Sequence, residues 1–314
     1  MQRRRRDHAA KQQATQANLR KDQMAGRLKL LWDRVLPPGF RRFATSRRTT
    51  LGAMLILSLL IMIAVFGPWI APYDADALRV SDRLQEPSLT HFFGTDNFGR
   101  DVFSRVIVGT RITLFLGLSI SAFSLLVGLP IGAICGFYDR IGLIVMRLVD
   151  AMMAFPAIIL ALALMAIFGK PGILNVILAV GMVWAPRMIR VVYSATLSLR
   201  ENTYIEAARA LGMGSPMILI RHIAINLLSP VIVQATFTFA FSIMEVAALN
   251  FLGVGIPPYV ASWGGMMNEG RTYILRAPWI ILFPGLFLAT AVLAFNLIGD
   301  ALRDRLDPKL RGTA

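Results

Sequence analysis

The chain has 314 residues and a net charge of +15, and it is 56% hydrophobic with only 16% charged residues. Its mean hydropathy is +0.60. A soluble domain carries about a quarter charged residues; here the apolar excess comes in long blocks, which excludes a water-soluble globular protein and points to a chain that crosses a membrane several times.

Residues 1–48 form a basic tail with 14 Lys/Arg against 3 Asp/Glu. It reads as a positive-inside topogenic segment that meets membrane lipid. Nucleic acid, the other partner for such charge, is not expected. The first transmembrane helix occupies 49–73, with its apolar core at 50–72. Arg47-Arg48 just ahead of it has the look of a twin-arginine signal. The apolar run starts some fifty residues in, is followed by five more, and lacks a small-x-small cleavage site, so it reads as a retained helix. An outer loop follows at 74–111.

The core, 112–301, holds five further spans near 112–138, 142–168, 172–193, 226–254 and 279–300, each long enough for a bilayer. Pro156 and Pro284 lie deep in two of them and predict bends. A cytoplasmic tail at 302–314 ends the chain. Alternation from an inside tail puts 25 Lys/Arg on the cytoplasmic side and 8 outside, as the positive-inside rule requires. Both termini are then expected in the cytoplasm. Trp184 and Trp279 fall near the span ends and predict interfacial anchors.

One polar hairpin, 197–225, interrupts the core. Thr203-x-x-Glu206 predicts a capping box, with a helix from Tyr204 to about Leu211. Gly212 suits a left-handed C-terminal cap, and Ser215-Pro216 reads as the N-cap and first residue of a second helix. Ala207, Ala208 and Ala210 keep the first helix slim. A connector needs fewer residues, so the hairpin reads as a docking element.

Glu206-Ala207-Ala208, Gly212, His222-Ile223 and Asn226 resemble the EAA loop of ABC importer permeases. Further matches are HFFGTDNFGRDVFSR at 91–105, RLVDAMMAFP at 147–156, LNFLGVGIPP at 249–258 with SWGGM at 262–266, and NLIGDALRDRLDP at 296–308. Together they are similar to the C-type permeases of dipeptide, oligopeptide and nickel importers, from about residue 50 to the end. Ile225 stands where the family often has proline, and Asn250 where it tends to have serine.

The resemblance implies an all-α membrane protein of six transmembrane helices with the type I ABC importer permease fold. It implies peptide import across the bacterial inner membrane, driven by ATP on two separate ATP-binding subunits. A second homologous permease and an extracytoplasmic substrate-binding protein would complete the machine. The chain itself would bind no cofactor, ATP and magnesium residing on the partners. Consistent with this, the sequence has no G-x-x-x-x-G-K-[ST] loop. ATPase coupling is then carried by Glu206, Ala207, Ala208, Gly212, His222 and Asn226. Nickel, opines or another small solute are alternative cargoes. An ion-coupled secondary transporter is the alternative from another class, although no inverted repeat is visible.

Asp150 and Glu245 are carboxylates inside spans, and such groups face a cavity or find a partner. Both are candidates for the translocation path or its gate. Arg147, one turn before Asp150, is its expected local partner; Glu245 has no basic neighbour three or four residues away. In the outer loop, Asp96, Arg100 and Asp101 are expected to pin the loop or touch an outside partner. No nucleophile or metal ligand accompanies them, and His8, His91 and His222 are too far apart in sequence for a metal site, as is the lone Cys135.

Overall fold

A computed structural model describes residues 47–306. The expectations for the basic tail and for the last eight residues lie outside them. Packing divides the chain after Thr50; residues 47–50 are the first turn of a helix, and the rest of the description concerns 51–306.

No β-strand forms among the described residues. The long helices are α1 (Arg47–Ile70), α2 (Val102–Phe137), α5 (Ile173–Arg200), α9 (Leu228–Phe251) and α11 (Trp279–Leu306). Each is long and apolar enough to cross a membrane. The sixth apolar segment forms no single helix but a bent pair. α3 (Asp139–Met153) and α4 (Ala157–Phe168) meet at 96°, with Pro156 as the N-cap of α4. Proline disfavours helical dihedrals in the residue before it and lacks an N–H, so the chain turns there. Pro284 instead stays inside the unbroken α11.

The two largest differences from the hydropathy reading are at the start of α2 and the end of α5. α2 begins at Val102, ten residues before the expected 112, because its first turns bury Ser104 and Arg105 in polar contacts rather than in lipid. α5 runs on to Arg200 instead of ending near 193.

α2 and α5 lie against each other along a stripe of small residues. Gly128, Gly132 and Gly136 recur every four residues, on one face of α2. A Cβ at Gly132 would sit 2.6 Å from the Ile189 carbonyl oxygen, and one at Gly136 would sit 2.6 Å from Thr196 Cβ. The two backbones therefore approach as only glycine permits, the close helix contact that replaces hydrophobic drive within a membrane.

Three apolar clusters follow. Leu116, Ile120, Met165, Val180 and Leu249 join α2, α4, α5 and α9. Val102, Val106, Trp263, Met266 and Ile280 close one end of the bundle. Phe137, Val192, Ile205, Ile218 and Ile223 close the opposite end, beneath the hairpin.

Candidate functional site

The hairpin is built from α6 (Thr203–Ala210), α7 (Ser215–Ile218), a π-helical stretch Leu219–Ile223 and α8 (Ala224–Asn226). The expected capping box does not form. Asn202 is the N-cap of α6, and no side chain caps it. Thr203 is already inside the helix, so its hydroxyl is one residue late. The same shift affects the second helix, capped by Gly214 rather than Ser215.

The C-terminal cap forms as the glycine requires. Gly212 has φ +81°. Its N–H donates to the Arg209 carbonyl at 2.9 Å, and the Met213 N–H donates to Ala208 at 3.1 Å. These two bonds make a Schellman motif, and Met213 packs against the apolar cluster that includes Ala208.

The six residues of the EAA resemblance separate by burial. Glu206, Ala207, Gly212 and Asn226 are exposed. Ala208 is buried inside the hairpin, so its part is packing. His222 is half-buried with its Nε2 unpartnered, and its carbonyl accepts from Asn226 Nδ2 at 2.6 Å. Around them Leu211, Met217 and Ile220 stand in the open, Leu211 at 87% exposure. Arg209 lies over the Phe137 ring, and Arg200 pairs with Asp139 at 2.6 Å, tying the hairpin and α5 to the corner after α2.

At the opposite end two loops are locked by ions. The Asp96 carboxylate accepts from Arg100 Nε at 2.6 Å, from an Arg105 terminal nitrogen at 2.9 Å and from the Phe98 N–H at 2.7 Å. Arg100 also reaches Glu269, at 2.5 Å, on the short helix α10 (Trp263–Gly270). Asp101 caps α2 through the Ser104 N–H at 2.7 Å, and its other oxygen lies 2.8 Å from His91 Nδ1. Asp96, Arg100 and Asp101 are all buried, so they pin the loop. Sequence reading missed Glu269, Arg105 and His91 as members; Glu269 pairs across more than 160 residues, and no local spacing signals that. Burial pushes the Glu269 carboxyl up to about 7, against the pull of Arg100 and helped by the nearby Asp96 charge.

The intramembrane carboxylates part company. Asp150 pairs not with Arg147 but with Arg190 of α5, and both side chains are exposed. An i,i+3 partner on the same helix loses to one on the neighbouring helix. Glu245 is half-buried, and its Oε1 is buried with no hydrogen-bond partner. Trp184 and Trp279, expected as interfacial anchors, are both buried. Trp184 stacks on Phe241 with centroids 5.5 Å apart, and Trp279 Nε1 donates to the Thr95 carbonyl at 3.0 Å. Asn250 Oδ1 accepts from the Ile256 N–H at 2.8 Å, which folds back the segment after α9.

The described residues form a bundle of membrane-length helices with a shaped hairpin at one end. Comparison with known proteins gives the family. The profile of the binding-protein-dependent transport system inner membrane component matches residues 128–312, and that of the N-terminal transmembrane domain of oligopeptide transport permease C matches 39–87. The dipeptide transport system permease protein DppC of Alkalihalophilus pseudofirmus is 42% identical over 87% of this chain and 89% of its own. The glutathione transport system permease protein GsiD of Escherichia coli is 42% identical over 87% and 90%. A solved structure of the MetNI methionine ABC transporter in inward-facing conformations shares the fold, with a TM-score of 0.54 and 21% identity over 65% of this chain and 96% of that one. The chain belongs to the binding-protein-dependent transport system inner membrane component family. It is a multi-pass inner-membrane permease subunit of an ABC importer and lacks ATPase activity of its own. That removes the ion-coupled secondary transporter.

Proposed function

We propose that this permease carries dipeptides or oligopeptides into the cytoplasm, with both its termini on the cytoplasmic side. Two ATP-binding subunits hold ATP and magnesium, one of them docking on the hairpin. A second homologous permease completes the path, and an extracytoplasmic binding protein delivers the cargo. The observation that carries the coupling role is the hairpin's division into two faces. Ile205, Ala208, Ile218 and Ile223 bury one face against the spans, while Leu211, Met217 and Ile220 offer apolar surface on the other. Clustered exposed apolar side chains beside the acid Glu206 suit a protein groove. The names of the dipeptide and glutathione relatives support a peptide cargo.

The test is reconstitution of the four-subunit importer in vesicles with its binding protein and labelled dialanine. ATP-dependent uptake is expected, with Glu206→Lys reducing recovery of the ATPase at least tenfold. Full ATPase recovery and full uptake by Glu206→Lys would leave the hairpin as a mere connector. Uptake of nickel and of no peptide would replace the cargo.

A further inference from the structure

The middle of the membrane holds a cluster that packing alone does not account for. Gly172, before α5, donates to the Gly255 carbonyl, after α9, at 3.0 Å. The outer ends of the two helices are therefore level, and depth can be counted from both. At 1.5 Å per residue, Glu245 lies about 9 Å in from the outer end of α9, and Phe241 about 15 Å. On α5, Trp184 lies about 16 Å in and Arg187 about 21 Å. The hydrocarbon core is about 30 Å thick, so these four side chains straddle its centre.

Their order along the membrane normal is acid, aromatic pair, base. Glu245 is outermost, the stacked Trp184 and Phe241 come next, and Arg187 is innermost. Two buried polar atoms there have no partner: Glu245 Oε1 and Trp184 Nε1. Arg187 lies over the Trp184 ring at 4.2 Å, and its hydrogen bond to the Val183 carbonyl is long, at 3.5 Å. A buried polar group without a partner is costly. Charged groups at midplane mark pathways. The vacant valences are one acceptor on the outer side, and one neutral donor plus a guanidinium on the inner side.

A molecule that completes this set has a cation at one end, an anion or carbonyl at the other, and a flat amide between. We propose that Glu245, Trp184, Phe241 and Arg187 form a midplane subsite that reads the free termini of a zwitterionic short peptide travelling carboxylate first. The α-ammonium donates to Glu245 Oε1. The carboxylate accepts from Arg187, and the Trp184 N–H donates to a carbonyl between them. The aromatic pair parts to clasp the peptide plane. The Glu245 and Arg187 backbones are about 12 Å apart in depth, and their side chains shorten that gap to the span of two or three extended residues, at about 3.3–3.6 Å each. The inference rests on the peptide reading above and adds where, and by which end, the peptide is held.

The experiment uses the complete importer in vesicles, with its binding protein and radiolabelled dialanine. The variants are Glu245→Gln, Arg187→Gln, Arg187→Lys and Trp184→Phe, the last keeping ring and stack but losing the donor. Dialanine turnover per assembled importer should fall at least about tenfold in Glu245→Gln and Arg187→Gln, the loss expected for a hydrogen bond to a charged group. Arg187→Lys should recover part of it, and Trp184→Phe should show a smaller loss. The apparent KM should stay with the binding protein's affinity, so the change falls on kcat. Wild-type turnover per importer in both charge-removing variants overturns the subsite, as does a loss confined to the yield of assembled importer. If the wild type imports nickel but neither dialanine nor trialanine, the peptide reading itself falls and the subsite with it. If the wild type imports dialanine and the variants match it, only the subsite falls.

Discussion

At position 269 burial and pairing pull one carboxyl in opposite directions. Glu269 touches Arg100 and Arg105, yet removal from water outweighs them and raises its pKa from 4.5 to about 7. The native state therefore holds the proton more tightly than the unfolded chain, in which the group titrates near 4.5. By linkage, the contribution is full below about pH 4.5 and is lost as the pH rises through about 7. Its size is on the order of 3 kcal/mol at about 1.4 kcal/mol per pKa unit. Melting of the purified protein at pH 5 and pH 8 should show the wild type losing stability relative to Glu269→Gln as the pH rises. A difference independent of pH would contradict this account. The same residue shows what sequence cannot display. Asp96, Arg100 and Asp101 announce themselves as a charged run within six residues, but Glu269 and Arg187 acquire meaning only when distant helices meet.

Among the elements, the span positions were legible because lipid demands long apolar runs. The ends of α2 and α5 were not, since polar residues at a helix end look the same whether they face water or a buried ion cluster. The π-helical stretch Leu219–Ile223 has no mark in the residues that form it. The hairpin caps were misread by one residue because Thr203 and Ser215 are good N-cap types, while the chain used Asn202 and Gly214 ahead of them. Thr203→Ala should therefore cost less than about 0.5 kcal/mol. Gly212→Val should cost more than about 1–2 kcal/mol, because its φ of +81° is disfavoured for any residue with a Cβ and worst for a branched one. No neighbour lies within 4 Å of a Cβ at Gly212, so the cost is purely conformational. ATPase co-purification should be normal for the first variant and reduced for the second; equal retention would remove the cap from the coupling argument. Gly132→Leu tests the stripe between α2 and α5. Overpacking of about 1–3 kcal/mol or more should lower its melting temperature. Gly52→Leu is the control, since a Cβ there meets nothing within 4 Å. Equal melting of the two would show that the close approach is dispensable.

For the molecule as a whole, alternation of six spans puts the loops at 74–111 and 255–278 on one side, and these two do meet. Arg100 binds Glu269, Trp279 donates to Thr95, and Arg83 donates to the Tyr273 hydroxyl at 3.3 Å. The hairpin closes the other end over its own apolar cluster. The charge bias predicts which end is which: alternation gives the hairpin side 25 Lys/Arg against 8 on the other, the pattern expected of a cytoplasmic hairpin. The chain suits a thiol-labelling test, because its one cysteine, Cys135, is 1% exposed and should stay silent. Leu89 and Leu275 are 92% and 100% exposed on the outer loops, and Leu211 is 87% exposed at the hairpin tip. In intact cells stripped of the outer membrane, a membrane-impermeant maleimide should label Leu89→Cys and Leu275→Cys. It should reach Leu211→Cys only after the membrane is opened. Labelling of Leu211→Cys in sealed cells, with Leu89→Cys protected, would invert the protein in the membrane and put the hairpin out of reach of any ATPase. If Leu89→Cys and Leu275→Cys label from opposite sides, the fault lies in the span count. The bent pair α3 and α4 is where it would lie, since a re-entrant loop there would send the chain back to the side it came from and reverse the orientation of everything that follows.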